Sequence, residues 1–253
     1  KLKLISYQRK SLSLTSEGWN IKKKSIMASS EIKTEEIEKA VSVIIKKTFE
    51  KLVDIYSSHK EHHNEEIKSD YKSRLIFPCY GKHRNNNVRV SEQELRFAFV
   101  ESLYEYCSGN NHLELFYSIE TPTKYKYSFK DKNNPHKCEE IDDDYGSAQS
   151  ASFDLVLYDN KMTRLAYIEF KANNAAKEEH LKDLCKLFGD PEPNDNSICY
   201  FIEIVKLHDE NTINSLMGKL ASPNNANKEV KCIVFDISKN DIIIGKEIVN
   251  QLK

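Results

Sequence analysis

Apolar side chains recur at three- and four-residue steps across residues 31–57, which predicts the longest helix of the chain. The members of this stripe are Ile37, Val41, Ile44, Thr48, Leu52 and Ile55. Charged residues occupy the remaining positions and are expected to face water. We expect the stripe to pack against the rest of the domain. Pairing with the same helix of a second copy, giving a homodimer, is the alternative.

Capping signals predict a second helix over residues 92–107. Ser91 and Glu94 have the spacing of a capping box in front of an apolar run, and Gly109 follows the predicted end. Apolar runs downstream predict strands over 112–120, 125–129, 152–158, 165–172, 197–205 and 231–237, and helices over 175–188 and 212–220. This order predicts a mixed β-sheet sandwiched between helices, an α/β fold.

Basic residues are concentrated at the start of the chain. Residues 1–26 contain seven Lys or Arg and one Glu, leaving 31 basic and 38 acidic residues in the remainder, a formal net charge of −7. We interpret 1–26 as a leader or disordered basic tail, with a phosphate-contacting arm as the alternative. Residues 27–75 are interpreted as an N-terminal helical extension and 76–253 as the main domain.

Composition narrows the class of protein. The 253 residues are 39% hydrophobic and 30% charged, which is typical of a globular chain. No apolar run reaches the roughly 18 residues that a membrane span needs, so no membrane partner is expected. Six cysteines lie far apart without a CxxC pair, which favours reduced thiols and a cytoplasmic location over a zinc ribbon or a disulfide scaffold.

The candidate chemistry lies in one predicted hairpin. Glu169 and Lys171 are two residues apart on a strand and therefore point to the same face. If the hairpin is centred between Lys161 and Met162, Asp154 and Glu169 are equidistant from that centre. The two carboxylates then face each other across the strands, with β-carbons about 5 Å apart.

Two adjacent carboxylates in a largely apolar sheet repel each other and lose hydration. Mg²⁺, with Mn²⁺ as a substitute, would compensate because hard divalent cations prefer carboxylate oxygens. Such an ion polarises a phosphate and activates a water, while Lys171 positions that water. The alternative is a solvated hairpin face on which Asp154 and Glu169 form surface ion pairs with Lys171.

Phe153-Asp154 followed by Ile168-Glu169-Phe170-Lys171 and a helix resembles the PD-(D/E)XK nuclease superfamily, which includes restriction endonucleases and repair nucleases. The resemblance covers residues 91–205. It implies a restriction-endonuclease-like three-layer α/β/α core with a central mixed β-sheet. It also implies a magnesium-dependent endodeoxyribonuclease in which Asp154 and Glu169 bind the metal and Lys171 is catalytic.

The resemblance further implies a metal-binding acid on the first core helix. Glu94 is the first candidate, although it could serve only as the capping-box acid, and Glu101 is the second. Glu120, at a strand end, is a further candidate beside simple solvation. Glu203 interrupts an apolar strand and is interpreted as a structural partner of another side chain, such as a lysine.

Basic side chains beside aromatic rings predict nucleic-acid contacts. Lys124 and Lys126 alternate with tyrosines on a predicted strand, and Lys182 lies on the helix after the motif. Ordinary surface lysines are the alternative at each position. DNA is the expected substrate because the resembling families mostly cut DNA, and RNA is not excluded. A nucleic-acid-binding module without catalysis and a phosphohydrolase acting on small nucleotides are the competing functions.

Overall fold

The computed structural model describes residues 34–61, 73–78, 88–109, 113–128, 139–140, 149–173, 175–189, 196–206, 210–220 and 228–250. All of them belong to one compact unit, residues 34–253. The helices are α1 (Thr34–Glu61), α2 (Glu92–Gly109), α3 (Lys177–Gly189), α4 (Glu210–Lys219) and α5 (Lys246–Asn250). The strands are β1 (Phe116–Ser128), β2 (Glu139–Glu140), β3 (Gln149–Tyr158), β4 (Arg164–Ala172), β5 (Ile198–Val205), β6 (Val230–Asp236) and β7 (Asp241–Ile244). The predicted tail, residues 1–26, lies outside the described residues.

Seven strands form one mixed sheet in the order β2-β1-β3-β4-β5-β6-β7. Strands β4, β5 and β6 are parallel, whereas the remaining neighbours pair antiparallel. Parallel neighbours require a crossover connection. Helix α3 lies in the β4–β5 connection and α4 in the β5–β6 connection. The predicted α/β class with a mixed sheet is confirmed.

Helices cover both faces of the sheet. Phe99 of α2 packs against Phe170 of β4, with ring centroids 5.4 Å apart. On the other face, Leu184 of α3 joins a buried cluster with Tyr167 of β4. Because Tyr167 and Phe170 are three residues apart on one strand, they project to opposite faces.

The predicted apolar stripe of α1 is buried within the chain, each of its six members being 2% exposed or less. Phe49 of α1 stacks on Phe235 of β6 with centroids 4.3 Å apart. Lys51 reaches Glu101 of α2 at 3.1 Å. Helix α1 therefore packs on α2 and β6, which is the intramolecular interpretation of the stripe.

Four elements differ from the sequence-based expectations. Strand β1 is continuous where two strands were predicted. Its pairing with β3 changes register between Pro122 and Lys126, directly after a proline that has no N–H group to donate to the ladder. Strands β2 and β7 and helix α5 were not predicted, because each is too short, at five residues or fewer, to show a clear hydrophobic period. Among the described residues, no helix is long and apolar enough to cross a membrane.

The β3–β4 turn is held by one aspartate. Asp159 Oδ1 accepts hydrogen bonds from the backbone N–H groups of Lys161 at 2.9 Å and Thr163 at 2.8 Å. Met162 has a φ of 64°, in the left-handed region. This side chain-to-backbone bonding fixes the short turn, and with it the alignment of the two strands that carry the candidate motif.

Candidate active site

Strand pairing aligns three acidic residues in one row across the sheet. Leu155 of β3 pairs with Ile168 of β4, so the same register places Asp154 opposite Glu169. This is the register that the sequence predicted. The β1–β3 pairing likewise places Glu120 of β1 opposite Asp154. The row therefore extends over β1, β3 and β4.

Asp154 lies at the end of the β3–β4 ladder. Its Oδ2 accepts a 2.8 Å hydrogen bond from the backbone N–H of Phe170, and its Oδ1 forms an ion pair with Arg96 of α2. Burial raises the pKa of Asp154, and the Phe170 hydrogen bond and the Arg96 charge oppose that shift without cancelling it. The Asp154 carboxylate is thus held in place by the backbone and by a cation.

Glu120 shares the Arg96 guanidinium. Arg96 Nη1 lies 2.7 Å from Glu120 Oε1, and the Ser152 hydroxyl donates to Oε2 at 2.8 Å. Burial works to raise the pKa of Glu120, but the hydrogen bonds from Ser152 and Arg96 outweigh it and the pKa is lowered. Glu120 therefore stays ionised and helps to fix Arg96 beside Asp154.

Glu169 is almost completely buried, with 1% of its surface exposed. Its Oε1 lies 2.6 Å from Lys186 Nζ of α3, and the same ammonium lies 3.0 Å from Asp183 Oδ1. Burial and then the nearby Asp183 charge raise the pKa of Glu169 well above its usual range. The site therefore disfavours a charge on Glu169 unless a cation balances it.

Lys171 lies between two other carboxylates. Its Nζ is 2.6 Å from Asp183 Oδ2 and 3.2 Å from Glu92 Oε1 at the start of α2. Burial alone would lower its pKa, but Asp183 and Glu92 more than compensate and raise it. Lys171 is therefore held protonated, which suits it to donate hydrogen bonds and excludes it as a proton acceptor near neutral pH.

These contacts form two ion-pair networks, one around Arg96 and one around Lys171 and Lys186, which meet where Asp154 stands opposite Glu169. We call their eight charged side chains the carboxylate cluster. The members are the carboxylates of Glu92, Glu120, Asp154, Glu169 and Asp183 and the cations Arg96, Lys171 and Lys186. Five acids against three bases leave a formal charge of −2 when all are ionised. This excess equals the charge of one divalent cation.

The oxygens of the carboxylate cluster suit a hard divalent cation in their chemistry, although not in their present spacing. Asp154, Glu169 and Asp183 supply carboxylate oxygens, the ligands that Mg²⁺ prefers. Glu169 Oε1 and Asp183 Oδ2 are buried and accept no hydrogen bond among the described residues, although each lies 2.6 Å from a lysine nitrogen. Within the described ranges, no three His, Cys, Asp or Glu side chains converge closely enough to hold a metal ion.

Glu94 and Glu101 have contacts outside the carboxylate cluster. The Glu94 carboxylate contacts Arg89 at 3.1 Å and the Ser91 hydroxyl, consistent with the capping position. Glu101 accepts from Lys51 at 3.1 Å and from Ser73 at 3.0 Å. Glu92 is the α2 carboxylate that joins the cluster, because the first helical turn lies beside Lys171.

The predicted nucleic-acid contacts are spread over two elements. Lys124 is exposed on β1 and Lys182 is exposed on α3. Lys126 lies on β1 opposite Ser150, and its side chain lies outside the described residues. Lys186, one helical turn after Lys182, is 4% exposed and is engaged within the cluster.

Glu203 of β5 forms a buried pair with His180 of α3. Glu203 Oε2 lies 2.9 Å from His180 Nε2, and neither side chain is exposed. His180 Nδ1 lies 3.1 Å from the carbonyl oxygen of Ala176. The interpretation of Glu203 as a structural partner thus has a histidine rather than a lysine as its counterpart.

Sequence reasoning missed Arg96, Asp183 and Lys186 as members of the cluster. Asp183 and Lys186 lie on the same side of α3 as the buried Leu184 and Leu187. The sequence did contain a signal for Asp183 and Lys186, because both charges interrupt the apolar stripe of their helix. Glu169 interrupts an apolar strand in the same way.

The cysteines differ from the expectation that they remain reduced throughout. Cys107, Cys199 and Cys232 are free cysteines, whereas Cys185 of α3 is disulfide-bonded. Disulfides are uncommon in reducing compartments. The spacing of the cysteines alone therefore does not establish the compartment.

Comparison of the chain with protein-family models, with curated proteins and with solved structures finds no significant match. The carboxylate cluster is therefore the feature of the chain that bears most directly on its function.

In the absence of divalent cations, the stability gap between Glu169→Gln and the wild type is expected to shift with pH. The unfolded state ionises Glu169 near the ordinary value of 4.5, whereas the folded state retains the proton to higher pH. Wild-type stability therefore falls relative to the variant as pH rises from 4.5 to the raised folded pKa, by up to about 1.4 kcal/mol per pH unit. Urea unfolding in EDTA at several pH values measures the gap, and a gap that is constant or moves in the variant's disfavour contradicts the prediction.

Proposed function

We propose that this chain is a magnesium-dependent nuclease of the PD-(D/E)XK type that hydrolyses phosphodiester bonds in DNA. The observation that carries the proposal is the carboxylate cluster, in which Asp154 and Glu169 stand opposite each other with an excess formal charge of −2. Carboxylate oxygens are the ligands that a divalent cation prefers, and the excess charge, which lies on the partly exposed Glu92 and Glu120, favours the approach of such an ion.

The order of elements supports a restriction-endonuclease-like fold. A helix (α2), an antiparallel meander (β1, β3, β4), a crossover helix (α3) and a parallel strand (β5) follow one another. The superfamily that the sequence resembles has this succession. The candidate motif lies on β3 and β4, directly before the crossover helix, a position where α/β proteins bind ligands.

The roles of the residues follow from their contacts. Asp154, Glu169 and Asp183 would hold the cation, and Arg96 and the Phe170 N–H orient Asp154. When bound, Mg²⁺ supplies a Lewis acid for the scissile phosphate and a water of lowered pKa. Lys171, held protonated, donates hydrogen bonds that position the attacking water and balance negative charge at the phosphate.

Contacts with DNA are proposed to be local. The −7 formal charge outside residues 1–26 opposes attraction of DNA by the domain as a whole. Lys124, Lys126 and Lys182 are therefore proposed to contact phosphates near the site.

A non-catalytic nucleic-acid-binding module is the second candidate function. It is favoured by one observation: each central carboxylate already has a cationic partner, Arg96 for Asp154 and Lys186 for Glu169. Such pairing could serve structure alone. The two functions differ in whether the protein cleaves DNA when a divalent cation is present.

The test is a cleavage assay on plasmid, linear duplex and single-stranded DNA with Mg²⁺, Mn²⁺ or EDTA, extended to RNA and to short oligonucleotides. Asp154→Asn keeps an oxygen for the Phe170 N–H but removes the charge, and is expected to lower the cleavage rate by at least about 100-fold. Asp241→Asn, at an exposed Lys246 pair, is the matched control.

Cleavage that EDTA abolishes, that Asp154→Asn loses and that Asp241→Asn keeps supports the proposal. Absence of cleavage by the wild type under every condition, or equal rates for the wild type and Asp154→Asn, would overturn it. Cleavage limited to mononucleotides or dinucleotides would instead indicate a small-nucleotide phosphohydrolase.

A further inference from the structure

The Lys186 ammonium group is surrounded by oxygen atoms inside the carboxylate cluster. Its Nζ lies 2.6 Å from Glu169 Oε1, 3.0 Å from Asp183 Oδ1 and 2.8 Å from the carbonyl oxygen of Ser152. The Lys186 side chain is 5% exposed. Three oxygens therefore surround one buried ammonium, one of them, the carbonyl oxygen of Ser152, as its hydrogen-bond acceptor.

This set of oxygens is also suited to a metal ion. Two carboxylates and a backbone carbonyl are ligands that a hard divalent cation takes from a protein. We infer that Lys186 occupies the cation position of the carboxylate cluster in the metal-free protein, and that a divalent cation must displace its ammonium group to bind. This inference rests on the proposed function, because it assumes that the cluster takes a metal.

The contacts around Lys186 are compatible with its displacement. Its side chain has a flexible four-carbon stem, so the ammonium can move away without a change in α3. Asp183 remains oriented by Lys171, which contacts its other oxygen at 2.6 Å. Glu169 has no second ion pair among the described residues. When the ammonium moves away, the metal would therefore replace Lys186 as the partner of the Glu169 carboxylate.

Two consequences follow for the proposed metal site. First, Asp183 becomes a metal ligand that the sequence motif does not contain. Its carboxylate and that of Glu169 both contact the Lys186 ammonium, so an ion at that position would contact both. Second, Lys186 becomes the residue that sets the apparent metal affinity, because binding must replace its attraction for two carboxylates. Removing this competitor is expected to tighten binding.

The experiment compares Lys186→Met with the wild type in Mn²⁺ titrations followed by calorimetry and by electron paramagnetic resonance, without DNA. Lys186→Met is expected to bind Mn²⁺ at least about tenfold more tightly, since close buried charge pairs couple by at least that factor. Lys177→Met, the same change at an exposed position of α3, is the control and should match the wild type. Asp183→Asn should bind at least about tenfold more weakly.

Tighter binding by Lys186→Met, or binding by this variant alone, supports displacement. Equal or weaker binding by Lys186→Met while the wild type binds Mn²⁺ overturns the inference and leaves the proposed function intact. Absence of Mn²⁺ binding by every protein overturns both. If Lys186→Met does not fold in the absence of metal, Lys186→Gln is titrated with the same criteria.

Discussion

Replacing Lys171 with methionine is expected to reduce metal-dependent cleavage of DNA by roughly 100- to 1,000-fold, the range found for removing one transition-state hydrogen-bond donor. The ammonium group is held protonated by Asp183 and Glu92, so it acts through its donors and its charge. DNA binding should change little, because Lys171 is not among the proposed phosphate contacts, and Mn²⁺ binding is measured alongside because Lys171 pairs with the proposed metal ligand Asp183.

Single-turnover cleavage, together with DNA and Mn²⁺ titrations, measures these effects. Lys161→Met, at an exposed position in the turn of the same hairpin, is the matched control and should cleave like the wild type. Cleavage by Lys171→Met at the wild-type rate would remove Lys171 from the proposed chemistry. If neither the wild type nor the variant cleaves DNA while both bind it, the non-catalytic module is the correct function.

Breaking the buried His180–Glu203 pair is expected to destabilise the fold by about 3–5 kcal/mol, since removing one partner of a buried pair costs this much. In His180→Leu, Glu203 loses the 2.9 Å contact to Nε2 in a place where neither side chain is exposed. For a chain of this size, the melting temperature should fall by roughly 6–20 °C.

Urea and thermal unfolding of His180→Leu, Glu203→Leu and the double variant measure the coupling. The double variant should recover most of the loss, because an apolar pair needs no charge compensation. Glu178→Leu, an exposed acid on the same helix, should stay within about 0.5 kcal/mol of the wild type. Single variants as stable as Glu178→Leu would show that the pair contributes nothing to stability.

The sequence predicted the hairpin well because its information is local. Alternating side chains and a short turn determine which residues face each other, and the Asp154–Glu169 register follows from those two features alone. The α1 stripe was predictable for the same reason, since five apolar residues and Thr48 with helical spacing define one buried face.

The sequence did not predict the cations of the cluster because their partners are distant along the chain. Arg96 meets Asp154 across 58 residues, and this contact depends on how α2 crosses the sheet. Lys186 reaches Glu169 only once α3 has folded back over β4. Spacing within one element carries no information about such contacts.

The backbone at Glu120 has a consequence for engineering this domain. A φ of 49° places a non-glycine residue in a conformation that costs about 1 kcal/mol or more. Glycine would relax the main chain there but would release one side of the Arg96 guanidinium. At this single residue of β1, a change that stabilises the fold therefore weakens the ordering of the acidic row. A screen that selects only for a higher melting temperature would tend to favour glycine and lose the Glu120–Arg96 contact.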